Sequence, residues 1–309
     1  MSNPKVTVVG AGFVGATTAQ RLVEKDIADV VLIDVVEGLP QGKALDMMES
    51  ATVEGFRMRI TGTNDYADTK NSDVIVITAG LARKPGMSRD DLLAKNAEIV
   101  GGIVDQCVKY SPRAVIIIVT NPLDAMTYLA WKRSGFPAGR VFGMAGVLDS
   151  ARYGYFLSEE LLCAAGDVEP VVFGGHGDDM VPVPQFTKVK GRPVTELLPA
   201  EVIEKINQRT RDGGAEIVAL LKTGSAYYAP SASVVKMVKA VVQNTGDIMP
   251  CCVYMNGEYG LKDVYCGVPA RLGFEGVLEI PVWQLTEKQQ KELAASAAHV
   301  QENCSKIKI

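Results

Sequence analysis

The sequence contains only two histidines, the side chain best suited to proton transfer near neutral pH. His176 stands in the run GGHGD (residues 174–178), a glycine-flanked turn that follows an apolar stretch. His299 lies in a segment typical of a terminal helix and is interpreted as a surface or packing residue. We therefore predict that His176 exchanges a proton with a reacting oxygen. A turn histidine with a purely structural role is the alternative.

Asp149 and Arg152 are three residues apart in a segment that predicts a helix, so their side chains share one face. A carboxylate at this place could orient an imidazole and stabilise its cation. A guanidinium beside it could bind a substrate carboxylate through two hydrogen bonds. On spacing alone, an ordinary salt bridge on a solvated helix is the simpler interpretation.

A basic loop follows the apolar run at residues 73–79. It carries three cations, Arg83, Lys84 and Arg89, and glycines near its ends that could act as the hinges of a lid. A solvated basic loop without a role in binding explains the same residues.

A nucleotide-binding pattern opens the chain. Lys5–Val9 is typical of a buried strand, and three glycines follow it in the spacing G-x-G-x-x-G. Such glycines permit a tight turn, close approach of a pyrophosphate and tight helix packing, while the helix N-terminus attracts phosphate. The pattern predicts a dinucleotide site formed by Gly10, Ala11, Gly12, Phe13, Val14 and Gly15.

Asp34 ends the second predicted strand, 19 residues after Gly15. A carboxylate there can accept hydrogen bonds from a ribose 2′-hydroxyl and would repel a 2′-phosphate. Residues 35–37 supply no cation. The predicted cofactor is therefore NAD rather than NADP. The alternative is a glycine-rich turn without a ligand, with Asp34 as a solvated strand end.

Composition narrows the class of protein. The 309 residues are 47% hydrophobic and 22% charged, a balance typical of a globular chain with a full core. A net charge of −4 argues against nucleic acid or an anionic membrane as a partner. The six cysteines form no C-x-x-C pair and no cluster with histidine, so we expect core thiols in a reducing compartment and no metal site. Without an apolar run of about 18 residues or a targeting segment, the predicted location is the cytoplasm.

Strands alternate with helices over residues 1–145, which predicts an α/β Rossmann domain with a doubly wound parallel sheet. Residues 146–309 are typical of an α+β substrate domain closely joined to the first. In the first half we predict strands at 5–9, 30–33, 57–62, 73–79, 114–119 and 140–143, and helices at 14–25, 41–53, 89–110 and 123–133. In the second we predict helices at 149–165, 199–221, 226–243 and 286–307, strands at 168–173, 248–255 and 263–272, and a turn at 190–192.

Seven motifs spread over essentially the whole chain resemble the lactate/malate dehydrogenase family, most closely its bacterial malate dehydrogenase branch. They are GAGFVG (10–15), LARKPGMSRDDLL (81–93), VTNPLD (119–124), GVLDSAR (146–152), GGHGDDMVP (174–182), GSAYYAP (224–230) and YCGVP (265–269). The resemblance implies NAD-dependent hydride transfer between malate and oxaloacetate, and a homo-oligomer, with a tetramer favoured over a dimer.

The resemblance also implies roles for matching positions. His176 would exchange the proton with Asp149 as its partner, and Arg152 would bind the carboxylate next to the reacting carbon. Arg89 would polarise the carbonyl, and Arg83 would bind the far carboxylate of oxaloacetate, where lactate-specific relatives usually carry glutamine. Contacts to the cofactor would come from Asn96, Val119, Thr120 and Asn121, the last also touching substrate.

Three other functions stay open at this point. A dehydrogenase for lactate or another 2-hydroxy acid is disfavoured by Arg83, and an NAD-requiring glycosidase by the lack of a predicted metal site. A non-catalytic NAD-sensing module would not need His176, Asp149, Arg152 and Arg89 together. One departure from the family is Gly154, where relatives commonly carry arginine; it puts in doubt helix stability or a subunit contact.

Overall fold

The computed structural model describes residues 3–81 and 88–308. Six parallel strands lie in the order β3-β2-β1-β4-β5-β6, so the order reverses between the first and fourth. In sheets of this kind, ligands bind beyond the carboxyl ends of the strands at the reversal. The strands are β1 (Lys5–Val9), β2 (Asp29–Ile33), β3 (Ile60–Thr63), β4 (Val74–Ile77), β5 (Val115–Ile118) and β6 (Val141–Gly143).

Eight helices are seen in the described residues, and most of the sequence predictions agree with them to within a few residues. The strands are buried on both faces where helices cover them, which is why they appear in the sequence as continuous apolar runs. The helices are α1 (Phe13–Glu24), α2 (Leu39–Glu54), α3 (Arg89–Tyr110), α4 (Leu123–Ser134), α5 (Gly146–Glu160), α6 (Ala200–Leu221), α7 (Tyr228–Val242) and α8 (Glu287–Ser305).

The main sheet is not confined to the first half of the chain. Three of its strands are antiparallel and extend the parallel sheet past β6, where Cys252 pairs with Gly143. The result is one nine-stranded sheet shared by both halves. The division at residue 145 stays a prediction. The strands are β7 (Val168–Glu169), β8 (Val172–Phe173), β9 (Val181–Pro182), β10 (Lys188–Val189), β11 (Arg192–Pro193), β12 (Ile248–Asn256), β13 (Lys262–Gly273) and β14 (Gly276–Glu279).

Two predicted elements are wrong in extent. The helix predicted at 149–165 is α5, which starts three residues earlier and ends at Glu160, because Leu162 takes a left-handed φ of 50°. The strand predicted at 168–173 is broken into β7 and β8 around Pro170, which has no N–H to donate. The predicted turn at 190–192 is confirmed: Lys190 and Gly191 both have positive φ and join β10 to β11.

Close packing against Pro170 explains why glycine occupies position 154. A Cβ at this position would lie 2.8 Å from Cγ of Pro170, so any side chain would displace the chain that follows α5. Helix α5 runs unbroken through the glycine. The departure from the family pattern therefore goes with close packing of α5 against Pro170.

Candidate active site

His176 and Asp149 form a buried pair. The turn after β8 carries His176, and the first turn of α5 carries Asp149. Nδ1 of His176 lies 2.9 Å from Oδ2 of Asp149, and the two side chains are 15% and 2% exposed. Burial lowers the pKa of His176, but the charge and hydrogen bond of Asp149, together with the charge of Asp124, raise it more, so the net pKa lies above its usual value. The imidazole can therefore hold and release a proton near neutral pH.

Arg152 lies one turn further along α5, and its Nη1 is 3.4 Å from Oδ1 of Asp149. Burial lowers the pKa of Arg152, and Asp149 opposes this effect. Its Nε is buried and has no hydrogen-bond partner among the described residues. Buried donors are rarely left unpaired, and a carboxylate ligand would satisfy this one.

These side chains open into one cleft between the two halves. A cavity of about 360 Å³ is lined by His176 and Arg152 together with Asn121, Val119 and Val14 of the glycine loop. On the other side of His176 and Asn121, a groove of about 620 Å³ reaches Arg89. Five predicted site residues thus lie around His176: Asp149, Arg152, Asn121, Val119 and Val14. Arg89 lies further away, in the groove.

Arg89 begins α3, whose start is fixed by a capping box between Ser88 and Asp91. The cap holds the first turn of the helix at the edge of the groove. Arg83, the predicted specificity residue, lies outside the described residues.

The glycine loop has the shape that a dinucleotide requires. Gly10 has a φ of 105°, and a Cβ on Gly15 would lie 1.8 Å from the carbonyl oxygen of Gly10. At Gly12 no atom lies within 4 Å of the place that a Cβ would take, so the backbone faces open space. No side chain caps the N-terminus of α1, which leaves its N–H groups for phosphate. The residues present fit NAD.

Asp34 lies at the tip of β2 and is tied to the glycine loop, since its Oδ2 accepts a hydrogen bond of 2.6 Å from the N–H of Ala11. Lys43 of α2 donates to the carbonyl oxygen of Ala11, also at 2.6 Å. Sequence reasoning missed Lys43, because its contact spans 32 residues and no local pattern indicates it.

Asn96 and Thr120 hold the backbone of the cleft. Asn96 is fully buried; its Nδ2 donates to the carbonyl of Asn121 at 2.7 Å, and its Oδ1 accepts from the N–H of Leu81 at 2.8 Å. Thr120 donates through Oγ1 to the carbonyl of Ala79 at 2.7 Å. Direct contacts of these two residues with the cofactor stay predictions.

Two buried residues beside His176 were also missed. Asp124 and Ser296 accept hydrogen bonds from the backbone of the histidine turn. Asp124 is the last residue of the motif VTNPLD, which was a reason to consider it as a site residue. Ser296 lies on α8 in a segment without a recognisable motif. His299 is exposed, as predicted, and its Nδ1 lies 2.7 Å from Oδ2 of Asp179.

Across residues 3–81 and 88–308, no cluster of three or more histidine, cysteine, aspartate or glutamate side chains has the arrangement of a metal site. Within the same ranges, no helix combines the length and apolar character needed to cross a membrane. All six cysteines are free thiols.

Both halves of the chain match known domains. Residues 4–143 match the lactate/malate dehydrogenase NAD-binding domain, and residues 146–308 match the alpha/beta C-terminal domain of the same family. The chain belongs to the lactate/malate dehydrogenase family. The predicted resemblance, the α/β fold and the NAD cofactor are thereby confirmed.

Individual members of the family are similar over their whole length. The malate dehydrogenase of Chloroherpeton thalassium is 57% identical over 304 residues, covering 98% of each chain. The structure of malate dehydrogenase from Salinibacter ruber is 50% identical with a TM-score of 0.94, covering 98% of this chain and 97% of that one. The lactate dehydrogenase of Cryptosporidium parvum, solved with lactic acid and NAD, is 40% identical with a TM-score of 0.95, covering 99% and 98%. Overall shape is therefore common to enzymes for either acid, and only particular residues can distinguish them.

The position of Asp34 predicts cofactor preference. In this member of the family, kcat/KM should be much higher with NADH than with NADPH, and Asp34→Ser should narrow the ratio. Juxtaposed like charges cost on the order of 2 kcal/mol, so the ratio should change by roughly thirtyfold. The exposed Asp46 of α2 provides a control, since Asp46→Ser should leave the ratio unchanged. Equal kcat/KM for both cofactors in the unmutated enzyme would contradict the assignment.

Proposed function

We propose that this protein is an NAD-dependent malate dehydrogenase that interconverts malate and oxaloacetate by reversible hydride transfer. The observation that carries the proposal is the His176–Asp149 pair, which opens with Arg152 into a cleft that Val14 of the glycine loop also lines. Relatives at 51–57% identity over nearly the whole chain are malate dehydrogenases, which favours malate over lactate.

The nucleotide would be held by residues 10–15 and Asp34, with Val119, Thr120 and Asn121 at the nicotinamide end and Asn96 supporting that end through Asn121. When bound, NAD carries the hydride to or from C2 of the substrate. The protein supplies orientation, charge and a proton. Because Asp149 occupies Nδ1 of His176, Nε2 is the ring atom left to face the substrate.

In the reducing direction, His176 gives its proton to the substrate carbonyl oxygen, and in the oxidising direction it takes the proton from the hydroxyl. Asp149 stabilises the imidazolium form. Arg152 binds the C1 carboxylate with its unpartnered donors. Arg89 stabilises negative charge that develops on the reacting oxygen, and Arg83 binds the second carboxylate of oxaloacetate.

One assay tests this function. Oxidation of NADH, followed by absorbance, should be fast with oxaloacetate and slow with pyruvate, because pyruvate lacks the second carboxylate. A kcat/KM for pyruvate equal to or above that for oxaloacetate would identify a lactate dehydrogenase instead. No oxidation with either acid would favour a non-catalytic NAD-binding protein.

We further propose that the protein is a homo-oligomer, with a tetramer favoured, located in the cytoplasm. Exposed apolar side chains on two helices support an interface between copies: Leu45 and Val53 on α2 are 62% and 84% exposed, and Tyr155 on α5 is 50% exposed. Free thiols fit a reducing compartment. Light scattering would measure the oligomeric state, and a monomer at micromolar concentration would contradict the proposed homo-oligomer.

The proposed division into residues 1–145 and 146–309 is supported by the bounds of the two matching domains.

A further inference from the structure

The turn that carries His176 is held by two buried acceptors from distant parts of the chain. The N–H of Gly175 donates to Oγ of Ser296, and the N–H of His176 donates to Oδ2 of Asp124, both at 2.8 Å. Asp124 and Ser296 are 6% and 2% exposed. The two contacts are alike in length, burial and type of donor. They differ in that the carboxyl group of Asp124 can be negatively charged, whereas the hydroxyl of Ser296 stays neutral.

We propose that Asp124 is a positioning residue whose negative charge acts with that of Asp149 to stabilise the imidazolium form of His176. Asp149 contacts the ring, and Asp124 contacts the backbone of the same residue. This inference rests on the proposed function, because it concerns the proton that His176 exchanges with substrate. It adds a second carboxylate to the proton-transfer site.

The surroundings of Asp124 bear on its ionisation. Burial and the charge of Asp149 raise the pKa of Asp124 more than the Cys252 thiol, the N–H of His176 and the imidazole charge lower it, so the net pKa lies above its usual value. Oδ2 accepts a hydrogen bond from the N–H of His176, and such a bond stabilises the ionised form of a carboxyl group. Asp124 also lies in the first turn of α4, where the helix dipole stabilises a negative charge. The hydrogen bond, the imidazole charge and the helix dipole oppose the effect of burial, and we take Asp124 to be ionised when His176 is protonated.

In the part of the chain that the structure describes, the groove that His176 and Asp124 line also contains charged or titratable side chains: Arg89, Asp90, Asp178, Asp179, His299, Glu302 and Lys306. Arg152 opposes the two carboxylates by lowering the pKa of His176. The thiols of Cys252, Cys266 and Cys304 face Asp124, and burial raises the pKa of each, so they stay neutral. Among the described residues, the charges that shift the pKa of His176 are therefore two carboxylates, which raise it, and one guanidinium, which lowers it. Removal of one carboxylate should lower the pKa of the imidazole.

The scarcity of histidine makes this measurable without any assay of activity. A chain with ¹⁵N-labelled histidine gives signals from only two imidazoles, those of His176 and His299. In Asp124→Asn, the midpoint of the His176 titration should fall by about one pH unit, as expected for loss of a nearby opposite charge. The signal of His299, which pairs with Asp179 instead, serves as the internal reference and should not move.

Ser296→Ala is the matched control. It removes a buried hydrogen bond to the neighbouring N–H but no charge, so any loosening of the turn should appear in both variants. Only Asp124→Asn should move the titration midpoint. The pH profiles of kcat should show the same shift, because both depend on the titration of His176. In Asp124→Asn, the acidic limb of the profile for malate oxidation and the alkaline limb of the profile for oxaloacetate reduction should move to lower pH. Ser296→Ala should lower kcat with both limbs in place.

Three results would overturn the proposal. The first is an unchanged midpoint in Asp124→Asn, and the second is an equal fall in Ser296→Ala, which would assign the effect to loosening of the turn. The third needs no variant: a step in the backbone amide signal of His176 above pH 7, with a midpoint distinct from that of its ring, would show Asp124 protonated at working pH. If Asp124→Asn fails to fold, Asp124→Ser and the amide signal decide. An unmutated protein inactive with oxaloacetate would contradict the proposed function alone, because the NMR comparison does not use turnover.

Discussion

His176→Asn should lower kcat for oxaloacetate reduction by at least about a hundredfold, because general acid–base catalysis by a positioned side chain contributes roughly 10²–10⁴. Asparagine is close in size to part of the imidazole and cannot exchange a proton near neutral pH. NADH should still bind with little change, since the glycine loop and Asp34 lie at a different part of the cleft. Steady-state kinetics and quenching of NADH fluorescence measure the two effects separately.

The other histidine provides the control for this variant. His299 also pairs with an aspartate, but its side chain is 62% exposed. His299→Asn should therefore keep kcat close to that of the unmutated enzyme. If His176→Asn retains turnover within about tenfold, below the range of a positioned acid, some other group supplies the proton.

Arg83→Gln should lower kcat/KM for oxaloacetate by at least about a hundredfold and raise that for pyruvate. Oxaloacetate carries a carboxylate where pyruvate carries a methyl group, and a carboxylate removed from water without a cation is costly. Loss of one member of a desolvated pair typically costs about 3–5 kcal/mol, or roughly 10²–10⁴ in kcat/KM. Pyruvate should respond in the opposite direction, because the guanidinium would no longer be left unpaired over its methyl group.

The neighbouring cation offers a matched control. Lys84→Gln removes the same charge one residue away, but lysine acts as a point charge and cannot bind a carboxylate with a planar pair of donors. Its effect on oxaloacetate should be small. A loss below about tenfold in Arg83→Gln, with a larger loss in Lys84→Gln, would assign the second carboxylate to Lys84.

Most of the parallel half could be predicted because its signals are local. Continuous β-branched runs indicate strands buried on both faces, as at β4 and β5, and the glycine spacing fixes the turn before α1. The joining of β12 to β6 could not be predicted, since it pairs residues more than a hundred positions apart. The break at Pro170 could have been predicted, because proline interrupts a strand. The prediction of one strand at 168–173 did not take this proline into account.

The candidate site divides in the same way. The ring partner of His176 could be proposed because Asp149 and Arg152 share a helix face, and the resemblance gave both a role. The groups that hold the backbone of the turn could not, because Asp124 and Ser296 lie 52 and 121 residues from their donors. Asn96 shows a different limit: the resemblance implied a contact with the cofactor, while its hydrogen bonds in the structure go to the backbone at Leu81 and Asn121.

The shared nine-stranded sheet limits the relative motion of the two halves of this enzyme. The ladder from β6 to β12 crosses from the nucleotide half to the substrate half, and α1 of the first half packs against α7 of the second. Two lobes swinging on a flexible linker would have to break this ladder in every catalytic cycle. We therefore expect substrate entry and product exit to depend on segments at the rim of the cleft, while strands β1 to β6 and β12 to β14 keep their relative positions.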